Sequence, residues 1–241
     1  VANLPMADIF AHHLRTHADI TAVCGDDSFA TENGTYFEKD PDGHIREVLI
    51  NMHRPRGYRS LDVFILSTEL LRSLVDECQA HDQYSFRRDV LQAKQALLNL
   101  QSYTWGGFAA QIRSVQEYYD RSMQLLDKDI RADLFTPERP VRAKGADKAS
   151  TYIGPDGVCL NSLVAEGCRI EGTVVNSILF PGVTVERGAE VQGCILFRGT
   201  CVRRNARLAH VITDKHVELL PGRTMMGHAN YPIVIAKNSV V

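Results

Sequence analysis

Several things are missing from this sequence, and each absence excludes something. No apolar run approaches the roughly 18 residues that a membrane-crossing helix needs. The opening stretch VANLPMADIF carries no basic segment ahead of an apolar one, so neither a span nor a secretory leader is expected. An excess of one charge is missing too: 27 lysines and arginines stand against 29 aspartates and glutamates, a net charge of -2. That balance supplies no field for a nucleic acid or an anionic membrane surface. The six cysteines are scattered with no C-x-x-C and no Cys/His cluster, which excludes a zinc-ligand pattern and favours reduced, buried thiols in a cytoplasmic protein. There is no G-x-G-x-x-G and no G-x-x-x-x-G-K, so no phosphate-cradling glycine loop lies within these residues. The chain opens on Val1, not Met, inside what reads as the middle of a structural unit, and it is expected to continue a longer fold.

What is present divides by period. In residues 1–126, LPMADIFAHHLRTHAD spaces Met6, Ile9, Phe10 and Leu14 along one helical face, and ITAVC is a short strand. GTYFEKDPDGHIREVLI holds two extended runs around Asp40-Pro41-Asp42-Gly43, a hairpin signal. SLDVFIL is a buried strand and TELLRSLVDECQAH a helix; residues 86–97 read as helical and LNLQSYTW as extended. Ser114 and Glu117 form an S-x-x-E capping box that opens the helix VQEYYDRSMQLLD. These elements make an α/β unit. Residues 127–150 are charged, carry two prolines and show no apolar period, and are expected to be a linker.

A different rule governs residues 151–241. Residues 182–205 divide into GVTVER, GAEVQG, CILFRG and TCVRRN, which set Val183, Ala189, Ile195 and Cys201 at the same position of successive hexads. Val158, Val164 and Ile170 repeat the interval earlier. A helix repeats at 3.6 and a flat strand at 2; a period of six describes short strands meeting at corners. Three such sides close one triangular coil, so a parallel β-helix of roughly five coils is expected. Its interior would be filled by this aliphatic stack, with bends at Gly182, Gly188, Gly193, Gly199 and Asn205.

An α/β domain, a charged linker and a hexapeptide β-helix together resemble the sugar-nucleotide pyrophosphorylases, most closely the glucose-1-phosphate adenylyltransferase family. The resemblance is carried by DGHIREVLINMHRP, SLDVFIL, SFRRDVL, GFAAQIRSVQEYYDRSMQLLD, NSLVAEGCRIEGTVVNSILFPGVTV and YPIVIAKNSVV. It implies a partial nucleotidyltransferase-like mixed sheet domain (1–126), a linker (127–150) and a left-handed parallel β-helix (151–241). It also implies the conversion of ATP and glucose 1-phosphate to ADP-glucose and pyrophosphate with magnesium, and tetrameric assembly.

The family pattern is altered where chemistry is expected. The F-x-E-K-P sugar-phosphate motif corresponds to Asn51-Met52-His53-Arg54-Pro55, so His53 replaces a carboxylate and Arg54 a lysine. An imidazole cannot accept sugar hydroxyls as a carboxylate does, whereas a guanidinium still suits phosphate. Ser60 matches a sugar-contacting serine. Gln111 stands where the family has its magnesium-binding aspartate, and a neutral amide serves a hard cation poorly. These departures resemble the non-catalytic D-type subunits. They imply a regulatory chain without a cofactor of its own, partnered with a catalytic subunit that uses magnesium. An anionic sugar-phosphate or phosphate effector would bind at Arg207 and Lys237, within a basic group that includes Arg198, Arg203 and Arg204.

Other candidates stand beside these. His53-Arg54-Pro55-Arg56-Gly57-Tyr58-Arg59 could hold phosphate or form a solvated loop, and His13 and His17 at i, i+4, beside His12, could chelate a metal. Two alternatives remain open: a fragment of an active adenylyltransferase, and a hexapeptide acyltransferase that would use His210 or His216 as its base.

Overall fold

The computed structural model describes residues 1–25, 34–53, 56–142 and 149–241. It divides into two compact units, Val1–Ala110 and Gln111–Val241. No helix among the described residues is long and apolar enough to cross a membrane.

The first unit is built on strands β1 (Ile20–Gly25), β2 (Thr35–Lys39), β3 (Ile45–Ile50), β4 (Tyr58–Leu66) and β5 (Leu100–Trp105), in the order β3-β2-β4-β1-β5. β1 and β5 run parallel; the other neighbours are antiparallel. The expected hairpin joins β2 to β3. Asp40 Oδ1 accepts from the backbone N–H of Asp42 (3.1 Å) and of His44 (2.9 Å), and Gly43 supplies the positive φ of 88° that closes the turn. The hairpin tip folds back on β5, where Ser102 N–H donates to Gly43 O at 2.8 Å. Ile20, Phe37, Leu74, Val90 and Leu100 fill the core between the sheet and helix α2 (Thr68–Ala80), which starts at Ser67, whose Oγ accepts from Leu70 N–H. Helix α1 (Met6–Arg15) buries Ile9. The expected helix at 86–97 is shorter and wider, a π-helix over Phe86–Gln92. Asp89 Oδ2 accepts from Tyr84 and Ser85 N–H and draws the first turn open.

The boundary between units lies at 110/111, not at 126 as the sequence suggested. The reason is the partner of helix α3 (Val115–Gln124): its Tyr119 packs with Ile195 and Ile212 of the second unit. The first part of the expected linker is also structured. Asp127 Oδ1 accepts from Asp129 and Ile130 N–H, capping helix α4 (Lys128–Leu134), in which Leu134 is buried. Residues 143–148 lie outside the described residues.

Beyond them the chain winds as a β-solenoid whose short parallel strands form three five-stranded sheets among the described residues. The first face stacks Tyr152–Ile153, Arg169–Ile170, Thr184–Val185, Cys201–Val202 and Glu218–Leu219. The second stacks strands from Val158–Leu160 to Thr224–Met226, and the third from Leu163–Val164 to Ile233–Ile235. The register corrects the hexad reading. Buried pairs inside one coil are Val183/Val185, Ala189/Val191 and Cys194/Leu196, so the step shortens from six residues to five where the second face meets the third. In the first four coils that corner is turned by a single left-handed residue: Asn161, Asn176, Gly193 or His210. Past it, Ile195 faces outward beneath α3, and the hydrogen-bonded stack places Cys201 beside Thr184 and Glu218 on the outer surface. Thr200, not Cys201, turns inward, and its hydroxyl meets that of Thr213 at 2.9 Å, satisfying two buried polar groups.

Candidate functional site

In the first unit the sequence-predicted residues gather where β3 ends and β4 begins. Asn51 leaves β3 with a φ of 53°, its N–H donating to Gly34 O at 2.9 Å. Gly57 has a φ of 80°, and a Cβ there would lie 2.5 Å from Phe37 O, so only glycine lets β4 start in this place. Inside β4 a bulge interrupts the ladder: Val23 faces Val63 but Cys24 faces Ser60, leaving Leu61 and Asp62 unopposed. Asp62 takes a φ of 58°. Its N–H donates to Ser60 Oγ at 3.1 Å, and its carboxylate meets Arg87 at 2.8 Å.

This geometry redistributes the expected roles. Ser60, read as a sugar contact, is 2% exposed, and its hydroxyl is engaged in shaping the bulge. His53 is exposed on the turn, and Arg54 lies outside the described residues. The basic run does not assemble into a phosphate cradle among the described residues. Arg56 is bound by Glu38 (2.7 Å) and Glu47 (3.3 Å), and Arg59 is 5% exposed within the strand, opposite Tyr36 and Gly25. At the same end of the sheet burial pushes the Cys24 thiol up, keeping it protonated. The α1 histidines have structural partners: His13 Nδ1 meets Thr21 Oγ1 at 2.8 Å and His12 stands edge-on to Tyr103. No group of three His, Cys, Asp or Glu side chains that could hold a metal occurs among the described residues.

Gln111 opens the second unit. Its Oε1 accepts from Arg113 Nη2, while Arg113 N–H donates to Glu117 Oε2 and Ser114 Oγ accepts from Glu117 N–H, fixing the turn into α3. The position that the resemblance gives to a magnesium ligand therefore carries a neutral amide with a guanidinium bonded to it. A divalent cation there would meet another cation, so these residues do not fit magnesium.

The effector candidates separate. Arg207 lies on the second face of the solenoid with its guanidinium 3.5 Å from Glu190, and Arg203 is held between Glu186 (2.8 Å) and Glu218 (2.7 Å). Arg203 in turn holds the Glu186 carboxyl below the usual carboxylate range. Lys237 belongs elsewhere, at the corner after the third face. There Arg198 O accepts from His216 N–H (2.9 Å) and Lys215 O from Asn238 N–H (3.0 Å), so Arg198, Lys215 and Lys237 occupy equivalent corners of successive coils. Neighbouring strands are about 4.8 Å apart, which stacks three exposed cations along one edge. Lys215 was not singled out from the sequence; its signal is the 17-residue interval from Arg198, seen in the coil register (Cys201 to Glu218).

His210 and His216, the acyltransferase candidates, are corner residues with φ of 51° and 56°. Tyr119 Oη donates to Gly193 O (2.7 Å) and stands 2.7 Å from His210 Nδ1. A phenol has one proton, so Nδ1 of His210 carries the hydrogen of the second bond. His210 is thereby committed to holding α3 on the solenoid.

Comparison with known proteins agrees with this architecture. Residues 146–230 match the family described as GlmU-like, C-terminal hexapeptide. The glycogen biosynthesis protein GlgD of Bacillus subtilis is 33% identical over 184 residues, covering 76% of this chain and 53% of that protein. GlgD of Geobacillus stearothermophilus is 37% identical over 187 residues, 78% of this chain and 54% of that protein. A glucose-1-phosphate adenylyltransferase of Acetivibrio thermocellus is 29% identical over 164 residues, 66% and 38% respectively. The chain thus spans about half the length, or less, of the curated relatives it matches. With a hexapeptide solenoid in its second unit and these similarities across both units, the chain is similar to the glucose-1-phosphate adenylyltransferases and to the GlgD glycogen biosynthesis proteins.

Proposed function

We propose that this chain serves glycogen biosynthesis as a regulatory, non-catalytic subunit of a glucose-1-phosphate adenylyltransferase, assembled with a catalytic subunit. One observation carries the reading: Gln111, at the position that the family resemblance gives to a metal-binding carboxylate, is bonded to the Arg113 guanidinium. Phosphoryl transfer draws much of its rate from a divalent cation that neutralises developing charge. A neutral amide beside a fixed cation withholds that contribution. The replacement of a carboxylate by His53 and the engagement of Ser60 in the bulge support the same reading. The similarity to proteins named GlgD supports the glycogen role, and the similarity to adenylyltransferases supports the identity of the partner. The corner formed by Arg198, Lys215 and Lys237 suits an anionic sugar phosphate or phosphate as effector, because adjacent exposed cations offer charge-assisted bonds to several oxygens.

The test is ADP-glucose formation from ATP and glucose 1-phosphate by the protein carrying this chain, by the cognate catalytic subunit, and by their mixture. The expected result is no turnover by the first alone and a shifted maximal rate or apparent affinity in the mixture. Lys215→Glu with Lys237→Glu is expected to remove the mixture's response to a phosphate effector and leave its basal rate. Turnover by the protein alone would overturn the reading, and an unchanged effector response would remove the corner from it.

The second reading, an active adenylyltransferase, is separated by Gln111→Asp. With Arg113 in place the new carboxylate gains an ion pair, and no magnesium-dependent activity is expected. A gain of activity would favour the enzyme.

A further inference from the structure

Helix α2 has two differently used sides. Leu74 is 4% exposed in the core of its unit, and Leu70 packs against that core. The other side carries Leu71 (42% exposed), Val75 (55%) and Cys78, spaced i, i+4, i+7 so that they form one stripe. This stripe forms one wall of a groove of about 310 Å³ whose far wall includes Tyr84 and Phe86. Tyr84 is 89% exposed, with its hydroxyl donating to Asp82 Oδ1 at 3.1 Å, so a large aromatic ring is held out in water. An apolar stripe beside a standing aromatic marks an interaction surface rather than a solvated face.

The charges beside the stripe say what covers it. Arg72 and Asp76 follow Leu71 and Val75 by one residue each, so they lie together on one flank, four residues apart and exposed. The ion pairs around them are Arg87 with Asp62 and Lys94 with Glu77. Neither Arg72 nor Asp76 takes part in one among the described residues. A flank carrying one charge of each sign about 6 Å apart along the helix complements its own copy when the copy runs in the opposite direction.

We propose that α2 packs against α2 of a second copy of this chain about a two-fold axis passing beside Val75. An antiparallel pairing about an axis perpendicular to the helices keeps like flanks adjacent. It sets Val75 beside Val75 of the copy, Leu71 near Cys78, and Arg72 near Asp76, the last two contacts each occurring twice. The groove between α2 and Tyr84 receives the copy's Leu71–Val75 ridge, and Tyr84 closes over it as an anchor with few rotatable bonds. This inference stands on α2 alone, and the regulatory reading can fail while it holds.

Sedimentation equilibrium of the 241-residue chain over a range of concentrations tests it. A concentration-dependent dimer is expected. Arg72→Asp and Asp76→Arg each place like charges opposite one another at two symmetry-related positions and are expected to weaken the dimer by about tenfold or more. Arg72→Asp combined with Asp76→Arg restores opposite signs and is expected to recover wild-type association. Both positions are exposed, so circular dichroism, and thermal unfolding at concentrations where the wild-type chain is monomeric, are expected to stay at wild-type values. A chain that is monomeric at every concentration overturns the proposal, and this includes the case in which the groove accepts a different protein. A dimer indifferent to either single reversal, or one that the double reversal fails to recover, also overturns it.

Discussion

Truncating Leu196 to alanine is expected to destabilise the solenoid by about 2–5 kcal/mol, whereas Cys201→Ser is expected to change it by less than about 0.5 kcal/mol. Leu196 is fully buried in the solenoid core, so its removal leaves a cavity that short, hydrogen-bonded coils cannot collapse to fill. Cys201 lies on the outer side of its strand, between Thr184 and Glu218 in the stack. A uniform hexad gives the reverse expectation, because it puts Ile195 and Cys201 inside and Leu196 outside. Urea titration of the two variants decides between the registers. A large loss for Cys201→Ser with little for Leu196→Ala would mean the five-residue step at the Gly193 corner is wrong. Because each coil touches only its neighbours, the loss at Leu196 is expected to spread first to the coils on either side.

The second large effect concerns Cys194. Burial pushes its thiol up to about 12, and its Sγ donates to Gln192 O at 3.2 Å. At pH 8 about one molecule in 10⁴ would then be a thiolate, against roughly a quarter for an ordinary cysteine of pKa about 8.5. Alkylation by iodoacetamide in the native state is therefore expected to run about 10³-fold slower at Cys194 than at an unperturbed thiol, with steric exclusion slowing it further. The same cysteine in the urea-unfolded chain is the reference. Differential labelling in buffer and in urea, read by peptide mass spectrometry, makes the comparison; a native rate at Cys194 equal to its rate in the unfolded chain would contradict the burial. The same shift fixes a sign for pH. The folded state keeps a proton that the unfolded state releases above its ordinary value of 9.0, so stability is full below about pH 9 and falls as pH rises from there towards 12. A urea midpoint lower at pH 10 than at pH 8 is the expected observation.

The candidate site was legible in part, for reasons that differ by residue. Gln111 is singled out by the family resemblance, which gives its position to a carboxylate. Arg113 lies only two residues away, yet nothing in the sequence states that its guanidinium turns back on Gln111 and not outward. Ser60 was read as a ligand contact; the bulge that engages its hydroxyl depends on the pairing of β1 with β4, far apart in sequence. The resemblance groups Arg207 and Lys237 as basic residues of the C-terminal stretch, but a solenoid sends residues close in the chain to different faces. Coil register, not proximity in the chain, brings Lys237 to Arg198 and Lys215.

Some features needed only the sequence. The hairpin at Asp40, the capped start of α3 at Ser114 and the corner-and-strand rhythm after residue 151 are local instructions: a side chain that bonds its own backbone, a glycine or asparagine that allows positive φ, an apolar residue at a fixed interval. Tertiary structure decided which side of each strand is inside and where one unit ends. A five-residue step at one corner reverses the facing of Ile195 and Cys201, and sequence intervals of five and six are too alike to tell apart beforehand. The helix that sequence assigned to the first unit belongs to the second because Tyr119 finds Gly193 and His210 there, 74 and 91 residues away. Contacts across such separations are settled by the free energy of the packed whole, and no window of the sequence contains both partners.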